Sequence, residues 1–147
     1  MKVVSLFVLS GVILAAPAAA GVAHETSLAY EGTTLSVTYE PSTRMTLRQT
    51  GLGPRGAAAC LWTAEVSAER KLADASGRPV EALTRIVGEP MVAKGLQPGH
   101  CAQLERDQAA ILDSHSDKVR RLLAEAAASD EARLQSEMAS FAALASR

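Results

Sequence analysis

From Ala102 to its last residue the chain contains neither glycine nor proline, whereas Ser27 to Val92 is rich in Thr, Val, Tyr, Gly and Pro. That change of character near residue 100 constrains the fold more than any motif does. After it, Leu104, Ile111, Val119, Leu122 and Leu123, then Leu134, Met138 and Phe141, recur near helical spacing with charged residues between them. An apolar stripe of this period, uninterrupted by breakers, is an amphipathic helix. A single helix over Ala102–Ser146 would be roughly 65 Å long at about 1.5 Å per residue. One small sheet does not cover that length, so a break or an overhang is expected. Ser114-x-x-Asp117 fits a capping box and Ser129-Asp130-Glu131 is a second restart signal.

Before residue 100 the period is two. Leu28 and Tyr30, then Leu35, Val37 and Tyr39, alternate with polar residues around Glu31-Gly32-Thr33-Thr34, the pattern of a β-hairpin. Pro41 is expected to end it, and Met45 and Leu47 within Arg44–Gln49 suggest a third strand. Residues 59–72 are the strongest strand, with Cys60, Trp62, Ala64 and Val66 on one face. Asp74-Ala75-Ser76-Gly77 reads as a turn. Val80–Val87 either returns antiparallel or forms a helix over Glu81–Val87, and Pro90, Gly95, Pro98 and Gly99 suggest an irregular passage to Cys101. The expected fold is α+β in one domain. A small antiparallel sheet of three to five strands over 24–99 precedes a long C-terminal helix or helical hairpin over 100–147.

The N-terminus carries an address. Lys2, the apolar run Val3–Ala16 and the small residues Pro17-Ala18-Ala19-Ala20 have the three parts of a secretory signal peptide. The run is shorter than the ~20 apolar residues that span a bilayer, and no Lys or Arg cluster follows it, so a retained anchor is not expected. Cleavage after Ala20 (Ala18-x-Ala20) and after Ala23 (Gly21-x-Ala23) are both permissible. Export, to a periplasm or beyond, places Cys60 and Cys101 where disulfides persist, and a bond between the two is the simplest reading. Closing a loop of this length stabilises a fold by roughly 4 kcal/mol in the chain-entropy picture. Without Lys2 the chain has 14 basic and 16 acidic residues, a net charge of −2, which argues against a nucleic-acid partner.

Gly51-Leu52-Gly53-Pro54-Arg55-Gly56 matches G-x-G-x-x-G, with Asp74 near the spacing of a ribose-binding acid. Pro54 removes one of the N–H groups that such a loop needs, and a strand follows where a helix should open, so the segment reads as a plain loop. His24, His100 and His115 are the only histidines and there is no G-x-S-x-G elbow, so no nucleophile–base pair can be named. Asp113-x-His115-x-Asp117 puts two carboxylates on one helical face with the imidazole turned away, a poor metal set. His24 would offer Cu(II) an amine and an imidazole only if cleavage followed Ala23. His100 reads as a loop residue, Trp62 as core packing, and Asp130-Glu131 as solvated helix surface. No catalytic residue, cofactor or metal is assigned.

An interaction role is therefore expected. Leu134, Met138, Phe141 and Leu144 lie far along an Ala-rich helix, where a compact sheet would leave them free for self-association, a coiled coil, or a groove on a partner protein, unless the helix folds back to serve only the protein's own core. The alternative is a small-molecule or metal-binding module using the sheet face and loops such as 51–56 or 94–100.

Overall fold

In the computed structural model, which describes residues 21–51 and 57–145, four strands run in the order β1-β2-β3-β4, each antiparallel to its neighbour. They are β1 (His24–Tyr30), β2 (Thr33–Thr50), β3 (Ala59–Ala73) and β4 (Arg85–Pro98). Three helices follow: α1 (Cys101–Arg106), α2 (Gln108–Ser114) and α3 (Ser116–Ala145). The expected α+β architecture is thus the observed one. The signal-peptide segment and most of the Gly51–Gly56 loop lie outside the described residues.

The β1–β2 hairpin forms where expected. Tyr30 pairs with Thr33 across the two-residue turn Glu31-Gly32, whose φ angles of 48° and 79° match the right-handed twist of the strands. Pro41, however, does not end β2, and Arg44–Gln49 is not a separate strand. β2 continues for 18 residues and keeps its register with β3 from Ser36↔Ala73 to Thr50↔Ala59. β1 stops pairing at His24↔Tyr39. In an antiparallel ladder the N–H groups of alternate residues face opposite neighbours, so Thr33, Tyr39 and Pro41 all face the β1 side. Pro41's missing N–H therefore falls where β2 has become an edge, the position at which proline is tolerated.

The stretch after the Asp74 turn also departs from expectation. Glu81–Leu83 forms one 3₁₀ turn, and the passage containing Pro90, Gly95 and Pro98 is not irregular but the edge strand β4. A bulge between Val66 and Ala68 absorbs Gly88 to Pro90. On the far side of it Met91↔Val66, Ala93↔Ala64 and Gly95↔Trp62 pair regularly. Gly99 N–H donates to Ala58 O at 2.8 Å, which fixes the alternation so that Pro98 faces the free edge. Turn-forming composition misled here because an edge strand has no partner on one side to reject proline.

Period two persists through all of β3. Cys60, Ala64, Val66, Ala68, Arg70 and Leu72 are buried and face the helices. α3 crosses this face with Val119, Leu123, Ala126, Ala127, Leu134 and Met138 buried against Val37, Tyr39, Val66, Leu72 and Val87. The helical stretch breaks twice, at Asp107 and at His115. The second break lies beside Ser114, but Ser114 does not act as a capping-box residue. Its Oγ donates to Ile111 O at 2.7 Å. Ser129 causes no break, because its hydroxyl donates back to Ala126 O within the helix at 3.0 Å.

The Cys60–Cys101 disulfide is present, with a Cα–Cα distance of 5.0 Å, and ties the start of β3 to the first residue of α1. Gln49 on β2 reinforces the junction: its Oε1 accepts from Cys101 N–H at 2.9 Å while its amide donates to Ala59 O at 2.9 Å. We expect a Cys60→Ser/Cys101→Ser variant to lose about 2–4 kcal/mol of stability, measured by urea unfolding of oxidised protein.

Candidate functional site

A connected polar constellation sits inside the molecule. Arg70 continues the core-facing alternation of β3 and its side chain is completely buried. Its Nη1 donates to Asp130 Oδ2 at 2.7 Å and its Nη2 to Glu137 Oε2 at 2.6 Å. Nε and Nη2 both donate to Leu83 O, at 3.1 and 2.9 Å. Tyr39 Oη donates to the same Asp130 oxygen at 3.2 Å, while Arg85 and Arg133 pair with Glu137 from the outside. One cation thus joins β3, the 3₁₀ turn and two turns of α3. Asp130 is buried too, not solvated surface as the sequence suggested, and its Oδ1 has no hydrogen-bond partner among the described residues.

The titration of these groups follows from their surroundings. Burial, and then the Asp130 carboxylate beside it, pushes the Tyr39 hydroxyl up to about 12. Burial works against the Arg70 charge, but the hydrogen bonds to Asp130 and Glu137 outweigh it and the pKa is raised. Burial likewise opposes ionisation of Glu137, and Arg70, then Arg85 and Arg133, overcome it and hold the carboxyl below its ordinary value. With each of its three nitrogens donating to Asp130, Glu137 or Leu83 O and its side chain fully buried, Arg70 acts chemically as a clamp, not as a substrate-binding cation. The sequence carried a signal for it, since extending the Cys60–Val66 alternation by two steps places a charged residue at a core position.

The structure separates the other residues singled out in the sequence. His24 lies on β1 with its ring 6.3 Å from that of Tyr39, His100 precedes α1, and His115 joins α2 to α3. His115 Nδ1 contacts Ile111 O at 2.9 Å, and Asp117 pairs with Arg120 at 3.0 Å. Among the described residues no three His, Cys, Asp or Glu side chains converge as metal ligands would. Asp74 is consumed by its own turn. Its Oδ1 accepts from Ser76 Oγ, Ser76 N–H and Arg78 N–H, and these bonds, the Ser76 hydroxyl foremost, hold the carboxyl at about 2.

Trp62 is only half-buried, not a core residue. Its indole lies on Gly95 of the edge strand, where a β-carbon would come within 2.4 Å of indole Cε2 and Cζ2. Its ring meets His115 edge-on at 6.1 Å. A groove of about 350 Å³ opens beside it, lined by Trp62, Gln97, Leu104, Asp107, Ile111 and Ser114. A second, more apolar cleft of about 410 Å³ lies between the start of β1 and the α2–α3 junction.

The expected interaction face is divided by the fold. Leu134 and Met138 are 2% and 6% exposed and belong to the protein's own core, whereas Phe141 and Leu144 are 49% and 70% exposed. The correction has a simple cause. α1 is tied to the disulfide end of the sheet, so α3 starts only opposite Pro41, where Val119 lines a cleft with it, and runs over the β1–β2 hairpin, where Leu134 lines a cleft with Leu28 and Val37. The other large exposed apolar side chains, Ile86, Val92 and Leu96, are on β4. Among the described residues no helix is long and apolar enough to cross a membrane.

No family model, no curated protein and no solved structure matches this chain.

Acid should loosen the clamp. Because the Glu137 carboxyl titrates lower in the folded than in the unfolded chain, its contribution is complete above the ordinary glutamate value of 4.5 and is lost as pH falls through the folded value. We expect the urea midpoint to drop on acidification below that value, and Glu137→Gln to flatten this drop. Asp130→Ala, which strands the buried guanidinium, should cost about 3–5 kcal/mol at neutral pH, measured in the same unfolding experiment.

Proposed function

We propose that this chain is a small exported interaction protein, an adaptor, inhibitor or envelope-assembly subunit, that docks through the C-terminal end of α3. The observation that carries this reading is the continuation of the buried Leu134–Met138 stripe into Phe141 and Leu144, which the sheet no longer covers. Large apolar side chains at helical spacing on an uncovered helix end are what a helix-in-groove or bundle contact uses. Export is supported by the three-part N-terminal segment and by a disulfide of the kind that persists in oxidising compartments.

A second reading, a small-molecule-binding module, draws on the groove beside Trp62. An aromatic surface flanked by the Gln97 amide, the Asp107 carboxylate and the Ser114 hydroxyl has the mixed apolar and polar character of ligand sites. It would require ligands to perturb Trp62, the only tryptophan in the chain.

Chemical crosslinking in the native envelope fraction, followed by mass spectrometry, tests the first reading. We expect crosslinks from residues 118–147 to a second polypeptide, and we expect Phe141→Asp/Leu144→Asp to abolish them while unfolding like the wild type. Crosslinks confined to one chain, with the variant unchanged, would refute docking through α3. Saturable quenching of Trp62 fluorescence in a ligand screen would then favour the second reading.

A further inference from the structure

The sequence permits two processing sites, and the fold distinguishes them. We infer that the leader is removed after Ala20, so that the exported protein begins at Gly21 and keeps Val22 as part of its core; this rests on the export reading above. Val22 is partly buried and packs against the main apolar cluster. Extending the β1–β2 register from His24↔Tyr39 by two residues brings Val22 opposite Pro41. The two side chains line the 410 Å³ cleft together with Leu112 of α2 and Val119 of α3. Val22 thus helps to seal the point where β1, β2 and the α2–α3 junction meet.

A cut after Ala23 would delete that contact and widen the cleft. It would also place a new ammonium group on His24, the β1 residue paired with buried Tyr39, where β1 contacts the core. A cut after Ala20 places the ammonium on exposed Gly21, three residues before the first paired position. Charge does not separate the two products. An acidic side chain shares a cleft with either terminus, Asp113 with Gly21 and Glu131 with His24. Packing does, because an apolar side chain already covered by the fold stabilises it roughly in proportion to the area removed from water. A start at Gly21 also leaves His24 without a terminal amine, so the amine–imidazole copper chelate that the alternative cut would create does not form.

The intact mass of the protein purified from the exported fraction tests this directly. A chain beginning at Gly21 is expected. A chain beginning at His24 would overturn the inference while leaving export intact, and a chain retaining residues 1–20 would overturn the leader reading and the inference with it. The role of Val22 has its own test in urea unfolding of the chain from Gly21 to Arg147. Val22→Asp and a version starting at His24 should both show a lower midpoint than the wild type. Equal midpoints for all three would refute the contribution of Val22 to the core.

Discussion

A fully buried guanidinium organises this protein. Arg70 stands at a core position of β3 and reaches Leu83 O in the 3₁₀ turn, Asp130 in mid-α3 and Glu137 two turns further on. Burying such a charge is unfavourable unless its hydrogen bonds and counter-charges are all in place. Those partners exist only when α3 lies along the sheet at one position and in one rotation. Apolar packing of Val119, Leu123, Leu134 and Met138 supplies the attraction between helix and sheet, but smooth apolar stripes tolerate sliding. The clamp does not, so we regard it as the element that sets the register of α3, with Tyr39 and Arg85 bracing it from either side.

The opposite end of the sheet is held by covalent chemistry. There the disulfide and the Gln49 side chain gather β2, β3 and α1 at one corner, and the helices leave it with two breaks before α3 begins. Helix and sheet are therefore pinned at both ends by interactions of different kinds, one sensitive to reduction and the other to acid. Between them the packing relies on small residues. Gly88 lies against Ala126, where an added β-carbon would approach to 3.3 Å, and Ala127 packs into the same cluster. That close approach explains why so Ala-rich a helix is buried along one side.

Pro41, Pro90 and Pro98 read locally as interruptions, yet each lies in a strand at an edge or a bulge, where no partner strand demands its N–H. Ser129-Asp130 resembled a helix restart, but Ser129 bonds back into its own helix and Asp130 turns inward to a cation sixty residues away. Leu134 and Met138 are covered because α3 begins only after the break at His115 and runs over the β1–β2 hairpin, with Leu134 beside Leu28 and Val37.

The sequence by itself determined the class of the fold, the hairpin at Glu31-Gly32, the turn at Asp74, the helical character of everything after Cys101, and the cysteine pairing. These depend on period, on local turn chemistry, or on there being two cysteines alone, all of which are properties of short stretches or of composition. Only the tertiary structure decided which partners the core-facing Arg70 meets, that Asp130 is a core residue, that Phe141 and Leu144 are what remains of the exposed stripe, and that Val22 is covered while Trp62 is half open. Burial is a property of which surfaces meet, and the meeting of β3 with α3 joins residues sixty or more apart in the chain. No local pattern records that distance.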